Sequence, residues 1–483
     1  MSDYDVVIIG AGAAGLAAAS ALARKGYRIA LVEARDRLGG RVYTIRPPGA
    51  TLPIELGADF VHGRPDETFA LAEEAGVRLY EQSGRSWVAE AHGNDRSEVD
   101  DEDVAEGEEG EEGEEGEDDG DSSAIFAAIL DWQEEDCSLQ TLLDTRFAGA
   151  RRAAARQDFS RYVEGFDAAE VDRVSVAWLR QTDLALDAID GDRQFRVLDG
   201  YDRVLTWLGD NLPSSRADIR LLSVARDVRW QPGAVMVRLE TPAGAALDEI
   251  SARAALITVP LGVLKRSFSE PQSPGAVQFS PEPPGKREAL ARLEMGHALK
   301  VALRFRVAFW EKLTPSAMRR LGALWPGQQV HFRLMPRLSF LFADDPVVPT
   351  WWTAHPIVAP LLMSWMAGPR AARFASASAD AIAGEAVTAL ARILSMERGI
   401  LEKLLEGHYV HNWSSDPYSS GGYSYVAVGG LSAPGELAAP VEGTLFFAGE
   451  ATNQQGHTGT VHGALQTGYQ AAEEIARAFG NPG

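Results

Sequence analysis

A chain of 483 residues, 45% hydrophobic and 24% charged, is ordinary for a soluble enzyme but longer than one core usually supports, so two or three domains are expected. Its net charge of −23 is concentrated, because residues 98–121 hold sixteen Asp or Glu and no Lys or Arg; the rest balances at about −7, and generic nucleic-acid binding, which needs clustered Lys and Arg, is excluded. The lone cysteine, Cys137, excludes an intrachain disulfide and a thiolate metal site, and no metal centre is expected.

In chain order, residues 6–9 form an apolar run that stops at Gly10, the pattern of a buried parallel strand. No basic segment precedes it and no later stretch is apolar for the ~20 residues of a membrane span. A soluble, cytoplasmic protein without a membrane partner is expected. Residues 13–25, rich in Ala and Leu, predict a helix ending near Gly26, and 28–32 the next strand. The segment 97–121 is acid and glycine, with three tandem Glu-Glu-Gly units; like charges repel and nothing apolar can be buried, so a disordered insertion is expected. Strand patterns in 221–239 flank a turn at Pro232 and Gly233, and 254–259 is another apolar strand. Residues 267–285, rich in Pro and Ser, read as a surface loop. Residues 301–305 alternate like a half-buried strand. Helices are expected over 380–394 and 463–479, with a short apolar strand at 445–448.

The strongest local signal is Gly10-Ala-Gly12-Ala-Ala-Gly15 between a strand and a helix, with Glu33 ending the following strand. Gly10 permits the turn, Gly12 lets a pyrophosphate approach the backbone at a helix N-terminus, and Gly15 lets the helix pack closely. Glu33 would accept hydrogen bonds from a ribose hydroxyl pair, which disfavours a phosphorylated ribose. The continuation through Arg35, Gly39, Gly40 and Arg41 points to FAD rather than NAD, with Arg41 placed to meet the pyrophosphate. Dinucleotide-type segments at both ends of the chain imply a mixed α/β fold: a discontinuous Rossmann-like FAD-binding domain (1–80, 195–290 and 408–483) interrupted by a substrate-binding domain (81–194 and 291–407).

Six further segments give the chain a specific likeness. These are Glu55-Leu-Gly57-Ala58-Asp59-Phe60-Val-His62-Gly63, Thr258-Val-Pro260-Leu-Gly262, Lys300-Val-Ala-Leu-Arg-Phe305, the run from Trp413 through Tyr418 to Tyr423, Gly449-Glu450-Ala-Thr452, and Thr460-Val461-His462-Gly463. Their order resembles the flavin-containing amine oxidase family, which includes monoamine oxidases, polyamine oxidases and flavin-dependent histone demethylases. The resemblance implies oxidation of a C–N bond by hydride transfer to the flavin, with a small-molecule amine and O2 as reactants. It places Glu450 near the ribityl chain or pyrophosphate, the Val461 N–H at the flavin N1–O2 edge, and Gly57, Ala58, Asp59 and Phe60 across the flavin. Trp413 and Tyr418 would shelter its ring.

In the family, the lysine matching Lys300 bonds a water that bridges to flavin N5. From the alternation alone, Lys300 reads instead as the solvent face of an edge strand. Tyr423 resembles one wall of the aromatic cage of monoamine oxidases, but Thr460 stands where the second tyrosine would be. Gly422 replaces the cysteine that tethers flavin there, so FAD should be noncovalent. His62 matches the histidine that faces substrate amines in animal-type polyamine oxidases. A polyamine or other secondary amine is therefore the expected substrate. The competing readings are an L-amino-acid oxidase, whose carboxylate-binding arginine would stand at Phe60, a primary monoamine oxidase, and a flavin-bound interaction module with little turnover. Oligomeric state is not legible.

Overall fold

The computed structural model describes residues 3–89, 98–100, 117–325, 332 and 334–480. An eight-stranded sheet is built from separated parts of the chain. Tyr4–Ile9 lies between Ile29–Val32 and Ile250–Ile257, parallel to both. Ala217–Arg220 and Leu445–Phe447 extend the parallel region on its two sides. The antiparallel pair Val224–Gln231 and Ala234–Glu240 joins through Ile250–Ile257.

The first strand is apolar without alternation because both of its faces are covered. Val6 and Ile8 pack with Leu16, Leu465 and Ile475 of the helices Ala13–Arg24 and Val461–Phe479. Val7 and Ile9 enter a second cluster with Leu139 and Trp178. The two helices approach closely at Gly468, where a Cβ would lie 2.3 Å from the Ala14 carbonyl oxygen.

A seven-stranded sheet carries the other side of the molecule, in the order Leu405–Val410, Ala298–Phe305, Leu361–Ala367, Thr350–Trp352, Leu338–Ala343, Arg85–Ala89 and Glu98–Asp100. Between the large sheets, Gln194–Val197 pairs with both Phe60–His62 and Leu79–Glu81.

Three expectations need correction. Residues 301–305 belong to the strand Ala298–Phe305, which is buried on both faces and flanked on both edges. Leu299, Val301, Leu303 and Phe305 face the helix Ala379–Ile393, while Ala302 packs with Leu56, Trp352 and Met363. The alternation therefore marks two different interiors, and Lys300 is 2% exposed rather than solvent-facing. Within 267–285, Gln278–Ser280 forms a strand parallel to Val224–Gln231, since backbone pairing tolerates a polar edge sequence. The acidic segment is structured at both ends. Glu98–Asp100 pairs antiparallel with Arg85–Ala89, and Glu117–Leu130 is a helix, anchored by the ion pair of Arg152 with Asp121 at 3.2 Å. Backbone pairing and helix formation there do not require apolar side chains. Residues 101–116, the centre of that expectation, lie outside the described residues.

Gly468→Ala should destabilise the fold by about 1–3 kcal/mol, the usual cost of overpacking, because the obstacle is backbone that cannot rotate away. Denaturant unfolding checks this, and an unchanged midpoint would show that the helices separate freely.

Candidate active site

One cavity of about 1910 Å³ runs between the two large sheets, roughly twice the upper size of an ordinary small-molecule site. Of the residues given a catalytic or cofactor-binding role from the sequence, Gly15 alone does not line it. At one end stands the glycine turn. Gly10 has φ +109°, and a Cβ there would lie 2.8 Å from Thr258 Oγ1; a Cβ on Gly15 would lie 1.9 Å from the Gly10 carbonyl oxygen. Protein packing accounts for both. Gly12 differs, because its Cβ would meet nothing nearer than Gly40 Cα at 3.9 Å. Its bare backbone is open to a ligand, as a pyrophosphate cradle requires.

Around the cradle the charged groups are already oriented. The buried Glu33 carboxylate accepts from the N–H groups of Ala11 and Arg35, both at 2.9 Å. The Arg35 guanidinium donates to Asp416 at 2.8 Å and Ser419 at 3.0 Å, and lies over the Tyr418 ring. Arg41 donates to the Gly422 carbonyl at 2.7 Å and to Glu450 at 2.8 Å. The second Glu450 oxygen accepts from the N–H of Gly459 at 2.9 Å and from the Ser424 hydroxyl. Val461 begins the last helix, so a positive helix terminus borders the cavity. Gly57 is fixed by packing, with a Cβ only 1.8 Å from the Arg41 carbonyl oxygen. Trp413 is pinned by a 2.9 Å bond from its Nε1 to the Leu56 carbonyl.

Further along, Lys300 Nζ donates to the Gly57 carbonyl at 2.7 Å and to Asp59 at 3.3 Å. Burial lowers the Lys300 pKa, opposed by the charges of Asp59 and Glu55. Asp59 also accepts from Arg196 and Trp352. Burial would raise its pKa, but Arg196 and Lys300 outweigh that and hold it below the usual range. Glu55 accepts from Thr44 and the Tyr201 N–H, yet burial and then the Asp59 charge push it up to about 7. His62 sits 5.6 Å from the Phe166 ring, edge to face, and burial drives it down to about 4, so its imidazole is neutral at physiological pH.

Tyr423 donates to the Phe166 carbonyl at 2.6 Å. The ring parallel to it, within 7° and at 6.4 Å between centroids, is Trp365. Thr460 serves as the N-cap of the last helix, its Oγ1 accepting from the Gly463 N–H at 3.0 Å. The cavity therefore has an aromatic wall opposite Tyr423, and Thr460 is not that wall. Trp365 pairs across the strands with Lys300, 65 residues earlier, and nothing local in the sequence announces this.

Asp167 and Asp183 were also not legible. Both line the cavity, and neither side-chain carboxyl has a hydrogen-bond or ion-pair partner among the described residues. Asp167 is 9% exposed and stands beside Ala168, whose φ of 54° is a left-handed conformation costing about 1–2 kcal/mol. Burial and then the Asp183 charge raise the Asp167 pKa well above the carboxylate range; burial takes Asp183 to about 6.

An open dinucleotide cradle joined to an aromatic and carboxylate-lined chamber is the arrangement of a flavin-dependent oxidoreductase. Residues 13–476 match the family described as flavin containing amine oxidoreductase, and the chain belongs to that family. It is 30% identical to polyamine oxidase 5 of Oryza sativa subsp. japonica, over 99% of this chain and 88% of that protein. It is 28% identical to lysine-specific histone demethylase 1 homolog 3 of Arabidopsis thaliana, over 98% of this chain but 30% of that longer protein. Among solved structures, a putrescine oxidase bound to putrescine aligns with a TM-score of 0.74 at 21% identity, covering 98% of this chain and 99% of that one. A cyclohexylamine oxidase from Brevibacterium oxydans aligns with the same score at 19% identity and the same coverage. The protein is thus a flavin-dependent amine oxidoreductase with a Rossmann-like dinucleotide-binding sheet and a second, substrate-side sheet. Among the described residues no helix is long and apolar enough to cross a membrane, and no cluster could hold a metal ion.

The open space at Gly12 fits the flavin nucleotide and gives a test. Gly12→Ala should leave the unfolding midpoint of the apoprotein unchanged while lowering flavin content in the purified protein. Full flavin occupancy in this variant would show that the cradle is not where the pyrophosphate lies.

Proposed function

We propose that the protein is an amine oxidase using noncovalent FAD to oxidise a C–N bond of a polyamine or other secondary amine. The observation that carries the substrate class is the unpartnered pair Asp167 and Asp183. Without a cation, burial holds Asp167 in its protonated form and raises Asp183, and an ammonium group of the substrate would stabilise the ionised pair. They stand in the chamber that also holds Tyr423, Trp365, His62 and Lys300.

The residues divide the work. Trp365 and Tyr423 confine the amine and exclude water, and aromatic faces attract cations. His62, neutral, can hydrogen-bond an amine nitrogen without repelling it. Lys300 holds an N–H donor at the cavity wall beside Gly57. When bound, FAD supplies the redox chemistry, taking hydride from the carbon next to nitrogen and passing two electrons to O2 to give H2O2. Water then hydrolyses the substrate imine to an aldehyde and a smaller amine. An amino-acid substrate is disfavoured because Phe60 offers no partner to its carboxylate and Asp183, ionised above pH about 6, repels it. Noncovalent attachment is supported at Gly422, where a Cβ would lie 2.6 Å from that of Ala298, so no tethering cysteine fits.

Acid precipitation should release intact FAD into the supernatant; flavin retained on the polypeptide contradicts noncovalent binding. Lys300→Met should keep FAD content but slow flavin reduction or reoxidation at least ~10-fold, or ~1.4 kcal/mol on a barrier. Stopped-flow traces matching wild type in both half-reactions would remove Lys300 from the chemistry.

The substrate is decided by peroxide release with spermine, spermidine, acetylated polyamines, tyramine, benzylamine and L-amino acids. Polyamines should lead, and tyramine or an amino acid far ahead of them would overturn this reading. Asp183→Asn should raise KM for polyamines by roughly 10-fold, as for loss of a charge-assisted bond, and leave benzylamine unchanged. In the wild type, polyamine KM should rise as pH falls through about 6, where Asp183 takes up its proton.

A further inference from the structure

We propose that Asp59 is a positioning residue for the reaction: its carboxylate, locked by Arg196 and Trp352, keeps the Lys300 ammonium charged and fixed at the cavity wall, and Arg196 limits how strongly it does so. This rests on the reading of Lys300 given above.

The geometry is that of a buried carboxylate held by three hydrogen bonds and two cationic side chains. One oxygen accepts from Arg196 Nε at 3.0 Å and forms an ion pair with Arg196 Nη2 at 2.9 Å. The other accepts from Trp352 Nε1 at 3.1 Å and from Lys300 Nζ at 3.3 Å. Three donated hydrogen bonds and the adjacent Arg196 and Lys300 charges hold Asp59 in its ionised form. The donors come from three strands, Gln194–Val197, Thr350–Trp352 and Ala298–Phe305, and Arg196 is itself held by the Thr353 carbonyl at 2.9 Å. Asp59 therefore cannot follow Lys300 if the lysine moves; the lysine is held to a fixed point.

The bland alternative is that Asp59 only neutralises Arg196, with Lys300 a neutral bystander. The placement argues otherwise, because Lys300 lies against the Gly57 carbonyl and a fixed carboxylate, and two acceptors of which one is anionic favour the ammonium. A buried amine so placed gains from being an ammonium, with two acceptors and a fixed negative charge in a low-dielectric setting. The charged groups acting on Lys300 are Asp59 and Glu55, which favour the ammonium, and Arg196, which opposes it. Asp59 and Arg196 thus pull the lysine in opposite directions, and removing each has an opposite, measurable consequence.

The test uses the FAD-loaded enzyme without amine, titrated from pH 5 to 10 by the flavin absorbance spectrum. Reoxidation by O2 over the same range provides the kinetic counterpart. Wild type should show a spectral transition that Lys300→Met abolishes. Asp59→Asn, which keeps shape but not charge, should move its midpoint down by at least about one pH unit, tenfold in proton affinity. Arg196→Gln should move it up. Asp59→Asn combined with Lys300→Met should titrate like Lys300→Met alone. If Asp59→Asn fails to retain FAD, the direction of the Arg196→Gln shift decides alone. A midpoint unmoved in these variants, or moved the same way in both, would overturn the inference. A transition that persists in Lys300→Met would defeat the reading of Lys300 itself, and the role of Asp59 with it.

Discussion

Burying four ionisable side chains in one place is the constraint to which the middle of this molecule answers. Glu55, Asp59, Arg196 and Lys300 all lie at 6% exposure or less where the two sheets face each other. An unpaired charge there would cost several kcal/mol, so each must find partners of fixed geometry. The partners come from strands far apart in the chain, which means that the cluster forms only when both sheets are assembled. The same bonds leave Lys300 immobile at the cavity wall.

The two ends of the cavity handle polar groups in opposite ways. At the nucleotide end, Glu33, Arg35, Arg41 and Glu450 are satisfied by one another and by backbone before any ligand arrives. The open element is space, at the bare backbone of Gly12. This is preorganisation for a ligand of fixed shape. At the far end, the Asp167 and Asp183 carboxyl groups have no partner among the described residues, and burial raises the pKa of both.

The glycine turn, the acid at Glu33 and the buried strands were legible because their signals are local: spacing along one strand–turn–helix unit fixes them. The likeness of six ordered segments carried the family. What escaped the sequence depends on contacts between distant strands. Trp365 faces Tyr423 because its strand pairs with that of Lys300, and Arg196 reaches Asp59 because Gln194–Val197 pairs with Phe60–His62. The alternation around Lys300 suggested a solvent face, since a hydrophobic pattern cannot distinguish water from a polar interior. Thr460 stands where the family's second tyrosine would be, and nothing local in the sequence shows that its hydroxyl caps a helix.

The central claim is that the inner chamber accepts a cation at Asp167 and Asp183 while the reacting nitrogen lies by Tyr423 and Trp365. A crystal structure of the oxidised enzyme with a non-oxidisable triamine analogue tests it most directly. The account predicts a terminal ammonium at about 2.7–2.9 Å from those carboxylate oxygens, with the chain running past His62. An analogue whose terminal nitrogens contact neither aspartate would contradict it.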